Sequence, residues 1–186
     1  METSPRMTFF EALLKVFNVK RNYSYYMGRA RRSEFWYTTL VCIVMSAIID
    51  GFDYVMEQKF GYNRNTRIIL DIVGAYFLIV NYSCLCRRMH DIGRSNFFPG
   101  LALSFAIASL VCLIFGQNPV AEITFVILFA VTALLLAYTL FLCTKDSDRG
   151  KNRYGYSDKY VDPADNPEVM EKFWKDYGND IIKKKN

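Results

Sequence analysis

Charge is distributed in blocks along this chain. Charged residues crowd into residues 1–34, 87–94 and 145–186, with long apolar stretches between them. A bilayer demands that segregation, because a charge at mid-depth costs at least about 2.5–3.5 kcal/mol on insertion scales. Composition agrees: 52% of the 186 residues are hydrophobic and 16% aromatic, rich for a soluble domain of one-domain length. The reading that follows is an all-α polytopic membrane protein.

Four spans are predicted: Phe35 to about Tyr54, Ile68 to Cys86, about Phe97 to Phe115, and Val120 to Cys143. Each is near the ~20 residues that cross ~30 Å of hydrocarbon. The third is interrupted at Pro99 and Gly100, but proline is tolerated in the first turn of a helix. Asn118 and Pro119 read as a tight turn between the last two spans. Ahead of the spans, Thr8 and Glu11 form a capping-box pattern before Phe9, Phe10, Leu13, Leu14 and Phe17, which recur at helical spacing. We read this as an amphipathic helix in the membrane interface. Glu11 and Lys15 interrupt its apolar stripe, so it does not read as a secretory signal. The chain thus divides into an N-terminal segment, 1–34, a four-helix transmembrane domain, 35–143, and a tail, 144–186. In the tail, Asn166-Pro167-Glu168 starts and Gly178 ends a short helix with an apolar stripe.

Orientation follows from the basic residues. Twenty Lys and Arg lie in the N-terminal segment, the middle connection and the tail; the opposite side holds only Lys59, Arg64 and Arg67. The positive-inside rule places the first group, and with it both termini, in the cytoplasm. The net charge of +5 arises from residues flanking apolar spans, so no nucleic-acid partner is expected. Cys42, Cys84, Cys86, Cys112 and Cys143 all fall inside or at the edges of spans; their odd number leaves no complete disulfide framework.

Three segments carry unusual residues beside the span ends on that one side. They are Gly28-Arg29-Ala30-Arg31-Arg32-Ser33-Glu34-Phe35-Trp36, Arg87-Arg88-Met89-His90-Asp91-Ile92-Gly93-Arg94-Ser95, and Asp146 through Asn152-Arg153-Tyr154-Gly155. In order and spacing, over roughly residues 20–158, they resemble a bacterial inner-membrane family known only as domain of unknown function 805. Asn96-Phe97 stands where that family tends to have Gly-Trp, and Tyr156 where it often has Pro. The resemblance implies a small four-helix protein of the bacterial cytoplasmic membrane without an established activity.

Read from chemistry alone, these segments mix Arg29, Arg31, Arg32, Arg87, Arg88, Arg94, Arg149 and Arg153 with Glu34, Asp91, Asp146 and Asp148. Two readings fit: an ion-pair network locking the helix ends together, or a site for anionic lipid headgroups or a partner protein. Catalysis has little behind it, since His90 is the only histidine and its Asp91 neighbour brings no nucleophile. Cys84, Cys86 and His90 do not match known zinc spacings, and neither a metal nor a cofactor is expected.

Asp50, Asp71 and Asn81 lie inside spans. Asp50 and Asp71 are each about 22 Å from the cytoplasmic ends of their helices, and so reach one depth. They read as interfacial residues pairing with nearby bases; the rival is a small transporter or channel component, as a homo-oligomer. The sequence therefore supports a non-enzymatic inner-membrane protein whose Arg/Asp face meets lipid headgroups or a partner.

Overall fold

A computed structural model describes residues 2–3, 7–17, 28–61, 64–116, 118–157 and 159–161. Among these residues five helices carry the fold: α1 (Phe9–Phe17), α2 (Arg32–Phe60), α3 (Arg64–Asp91), α4 (Phe97–Phe115) and α5 (Pro119–Thr144). Helices α2 to α5 are each long and apolar enough to cross a membrane, and the chain is an all-α, four-span membrane protein. A two-residue antiparallel pairing, β1 (Glu2–Thr3) with β2 (Tyr160–Val161), ties the N-terminal residues to the segment after α5. The tail helix expected around residues 166–178 lies outside the described residues.

Helix α1 starts as its sequence dictates. The Thr8 N–H donates to Glu11 Oε2 at 2.8 Å and the Glu11 N–H to Thr8 Oγ1 at 3.3 Å, a reciprocal capping box. Its small residues Ala12 and Val16 are buried against α2 and α3, while Phe10 and Leu14 stand outward, 75% and 71% exposed. Phe9 meets Tyr37 edge-on, and Phe17 meets Phe77. Outward Phe and Leu on a helix flanking a span is the pattern of an interfacial helix immersed in lipid.

The spans form two hairpins, α2–α3 and α4–α5, which touch each other only sparsely, mainly through α3. Large apolar residues such as Ile43, Ile48, Ile72, Leu113 and Phe129 are exposed along the spans, as a lipid environment allows. The main cluster of buried apolar residues lies at one end, where Val16, Ala30, Phe35, Val80, Cys84, Met89, Leu142 and Cys143 pack together. Helices α2 and α3 run past the expected spans: Phe35–Tyr54 became Arg32–Phe60, and Ile68–Cys86 became Arg64–Asp91. Hydropathy marks the hydrocarbon, whereas a helix continues through the headgroup layer as long as its polar side chains find partners.

Candidate functional site: an arginine–aspartate clasp

The first half of the second motif, beyond the expected end of its span at Cys86, is helical. Arg87, Arg88, His90 and Asp91 form the last turn and a half of α3, all buried. Gly93 closes the helix at φ +71°, with its N–H on the His90 carbonyl and the Arg94 N–H on the Met89 carbonyl. That reciprocal pair is a Schellman motif, which requires a left-handed residue and so favours glycine. A Cβ at Gly93 would also collide with Asp148 Oδ2.

A helix end leaves carbonyls without partners, and here the other two motifs supply the donors. The Ala30 N–H donates to the Arg87 carbonyl, Asn152 Nδ2 to that of His90, and both the Asp148 N–H and Arg29 Nη2 to that of Asp91. Arg29 is saturated: Nε donates to Asp91 Oδ1 at 3.0 Å, Nη1 to the Gly150 and Gly155 carbonyls, and Nη2 to the Asp91 and Asp148 carbonyls. These bonds match the five N–H donors a guanidinium has.

Arg88 does the same for α5. It is fully buried, with Nε on the Cys143 carbonyl at 3.1 Å, Nη2 on the Lys145 carbonyl and Nη1 on Asp91 Oδ2. Asp91 is thus the hub, its carboxylate held by Arg29, Arg88 and the Ser147 hydroxyl. A second buried carboxylate, Glu34 in the first turn of α2, lies between Lys15 Nζ of α1 at 2.8 Å and Arg87 Nη1 at 3.2 Å. Each carboxylate therefore bridges two cations. The surplus positive charge sits against the carbonyl ends of α3 and α5, where helix dipoles favour it.

The third motif is a tight turn. Asn152 and Gly155 exchange backbone hydrogen bonds at 3.0 Å, and Asn152 Oδ1 accepts from the Tyr154 N–H, an Asx-type brace. The turn lays the Tyr154 ring flat on His90, centroids 3.7 Å apart, and Arg153 against the same ring at 4.6 Å. His90 Nδ1 lies 3.2 Å from the Gly28 carbonyl, so that nitrogen carries the proton.

Not every motif residue joins. Arg94 and Ser95 are exposed, and Arg94 enters only through its backbone. Arg32 makes an exposed pair with Asp146 at 3.3 Å, Ser33 is half-buried, and Trp36 turns outward, 40% exposed. The arginines of the three motifs are thus split: Arg29 and Arg88 lie inside, and Arg32, Arg94 and Arg153 on the rim. Sequence reasoning missed Lys15 and Ser147: Lys15 interrupts an apolar stripe, and nothing local in the sequence marks either residue as a partner of a buried carboxylate. Outside the spans, burial alone would raise the Asp146 carboxyl, but hydrogen bonds from Lys159, Tyr160 and the Ser147 N–H outweigh it and hold it well below the usual carboxylate range.

Among the intramembrane polar residues, Asn81 Oδ1 accepts from the Thr39 hydroxyl at 2.9 Å, joining α2 to α3. Asp50 and Asp71 are exposed and do not pair with each other; the ion pair of that region is Asp53–Arg67, at 3.5 Å.

No solved structure matches the chain. The inner membrane protein YhaI of Escherichia coli (strain K12) is 26% identical over 143 residues, 77% of this chain and 93% of that protein. The inner membrane protein YhaH of the same strain is 29% identical over 100 residues, 53% of this chain and 79% of that protein. The family described as "Protein of unknown function (DUF805)" matches residues 23–156, a stretch that takes in all three clasp motifs, and the chain belongs to that family of membrane proteins.

Proposed function

We propose that this is a non-enzymatic protein of the bacterial inner membrane, with the clasp end and both termini in the cytoplasm, which engages anionic lipid headgroups through an exposed basic rim around the clasp. One observation carries the reading: the buried arginines are already committed. Arg29 spends all its donors on Asp91 and backbone carbonyls, and Arg88 is sealed between α3 and α5. Neither can take a ligand without opening the fold. Arg94, Lys145, Arg149, Lys151 and Arg153 remain exposed around the same end. Basic side chains at headgroup depth are attracted to anionic lipid by about 1 kcal/mol each. Outward-facing Trp36 and Phe97 near the same level suit a membrane–water boundary.

The rival transport reading has less support, because Asp50 and Asp71 stand on exposed helix surfaces with no polar path between them. The test is thermal unfolding of the detergent-purified protein titrated with short-chain phosphatidylglycerol, phosphatidylcholine or inorganic phosphate. Phosphatidylglycerol should raise the melting temperature more than phosphatidylcholine. The difference should vanish when Arg94, Arg149 and Lys151 are all changed to Gln, with stability in detergent alone unchanged. Equal shifts from both lipids would remove the headgroup site; a shift from phosphate alone would assign it to a soluble anion.

A further inference from the structure

At the end of the first hairpin opposite the clasp, a cavity of about 70 Å³ lies between the last two turns of α2 and the first turn of α3. Asp53, Met56, Glu57 and Phe60 line it from α2, and Thr66 and Arg67 from α3. The four α2 residues recur at helical spacing, so one face of that helix forms a wall. Asp53 and Arg67 pair at 3.5 Å, while the Glu57 carboxylate is exposed and has no partner among the described residues. The cavity therefore carries one net negative charge, with a guanidinium at its edge. Asp50 and Asp71 stand one turn deeper on the same helices; they do not line the cavity, but their charge adds to its attraction for a cation. Outside the described residues, only 62, 63 and 117 belong to this end of the helices, the others being joined to the clasp end across the bilayer.

The depth of the cavity follows from the clasp. Arg88 ties α3 to α5 at Cys143, and Arg87 ties α3 to Glu34 of α2, so Glu34 and Cys143 share one level. Asp53 and Glu57 are nineteen and twenty-three residues beyond Glu34, about 28 and 34 Å. On α5, Glu122 lies about 32 Å from Cys143, and the helix begins at Pro119, about 36 Å away. The cavity is thus level with the outermost turns of α5, where hydrocarbon gives way to headgroups. Val55 and Ile68 on the same turns are exposed, as are the rings of Tyr54 and Phe60. Acyl chains and boundary aromatics therefore surround its mouth.

We infer that this cavity binds the aminoethyl head of an aminophospholipid, such as phosphatidylethanolamine, in the leaflet opposite the clasp. Size is the first reason: a cavity of about 150 Å³ holds benzene, so one of about 70 Å³ holds roughly three heavy atoms, the two carbons and the nitrogen of an aminoethyl group. Charge is the second. The three N–H donors of an ammonium divide between the Glu57 and Asp53 carboxylates. The phosphodiester that follows reaches the mouth, where Arg67, whose pair with Asp53 leaves N–H donors unused, receives it. A trimethylammonium head has about twice as many heavy atoms and no N–H to donate. A glycerol head brings no cation, and a serine head adds a carboxylate beside Asp53 and Glu57. A bare divalent cation wants six or more oxygen ligands, and the guanidinium beside Asp53 opposes it. The bilayer itself presents an aminoethyl phosphate at this depth. The site is independent of the basic rim, which lies at the other end and attracts anions.

The test is native mass spectrometry of the detergent-purified full chain titrated with short-chain phosphatidylethanolamine, short-chain phosphatidylcholine or soluble glycerophosphoethanolamine. Phosphatidylethanolamine should bind at least about tenfold more tightly than phosphatidylcholine. Glu57→Gln keeps the size of an unpaired, exposed side chain and removes its charge. Thermal stability should therefore hold, while the preference for phosphatidylethanolamine falls at least about threefold. Glu122→Gln, which alters an exposed carboxylate at the same depth outside the cavity, should change nothing. Equal binding of the two lipids by the parent chain, or a preference unchanged in Glu57→Gln, would overturn the inference. So would glycerophosphoethanolamine binding as tightly as the lipid, which would assign the cavity to a soluble amine, or calcium displacing the lipid in a Glu57-dependent way, which would assign it to a metal ion.

Discussion

The two hairpins solve helix association in different ways. Between α2 and α3 the contacts are polar and cross from helix to helix: Glu34–Arg87, Thr39–Asn81 and Asp53–Arg67. Between α4 and α5 the small residues Ala102, Ser109, Thr132 and Thr139 are buried, and the hydroxyls of the last three donate to carbonyls of their own helices. With its polar groups satisfied internally, α4–α5 gains from close approach, and it is the more extensively packed pair. Lipid offers no hydrophobic drive between helices, so these are the two sources of cohesion available. The clasp then joins hairpins that barely touch elsewhere.

The largest effect should come from breaking that junction. Asp91→Ala strands two buried guanidinium groups and should cost about 3–5 kcal/mol, read as a lowered thermal midpoint in detergent. Arg88→Ala should behave alike, and a shift near zero in both would detach the clasp from stability. Next comes Gly93→Ala, which forces a side chain into a left-handed position and against Asp148, at about 1–3 kcal/mol.

The contrast between hairpins can itself be tested. Ser109→Leu overfills a close contact and should cost about 1–3 kcal/mol, whereas Ser109→Ala, which loses only an intrahelical bond, should be nearly silent. In α2–α3 the order reverses: Asn81→Ala removes a cross-helix bond worth about 0.6 kcal/mol and should register although it makes the side chain smaller. Finding the same ranking in both hairpins would end the distinction.

The smallest effect concerns acid. Because the folded-state pKa of Asp146 is depressed, its contribution is complete above the ordinary carboxylate value near 4 and is lost as pH falls below it toward the depressed value. Unfolding midpoints should therefore show no dependence on this group from pH 7 to about 5, and Asp146→Asn should flatten the slope below about 4. An unchanged acid slope in that variant would dismiss the Asp146–Lys159 pair as a contributor.

Much was legible in the chain because a bilayer reads hydropathy in one dimension. Where apolar runs of sufficient length occur, backbone groups must be satisfied within the segment, and a helix follows. The four spans, the capping box at Thr8 and Glu11, and the gathering of three motifs near one end all come from local pattern of this kind. The length of α3 was less legible, since Arg87 through Asp91 look like loop residues until the donors that cap them are known.

What the sequence alone could not assign is which arginines are inside. Arg29, Arg32, Arg88 and Arg94 carry the same charge beside the same layer, yet two are buried and two exposed. The difference lies in backbone carbonyls: the unmatched ends of α3 and α5 and the turn at Gly150–Gly155 converge on Arg29 and Arg88, from positions 55 to 126 residues away. Burying a guanidinium is tolerable only where such acceptors replace its water, and their positions exist only once the helices have packed. Hydropathy along the chain thus determined the spans, and the tertiary fold, by choosing where helix ends meet, decided which charges were buried as structure and which stayed exposed on the rim.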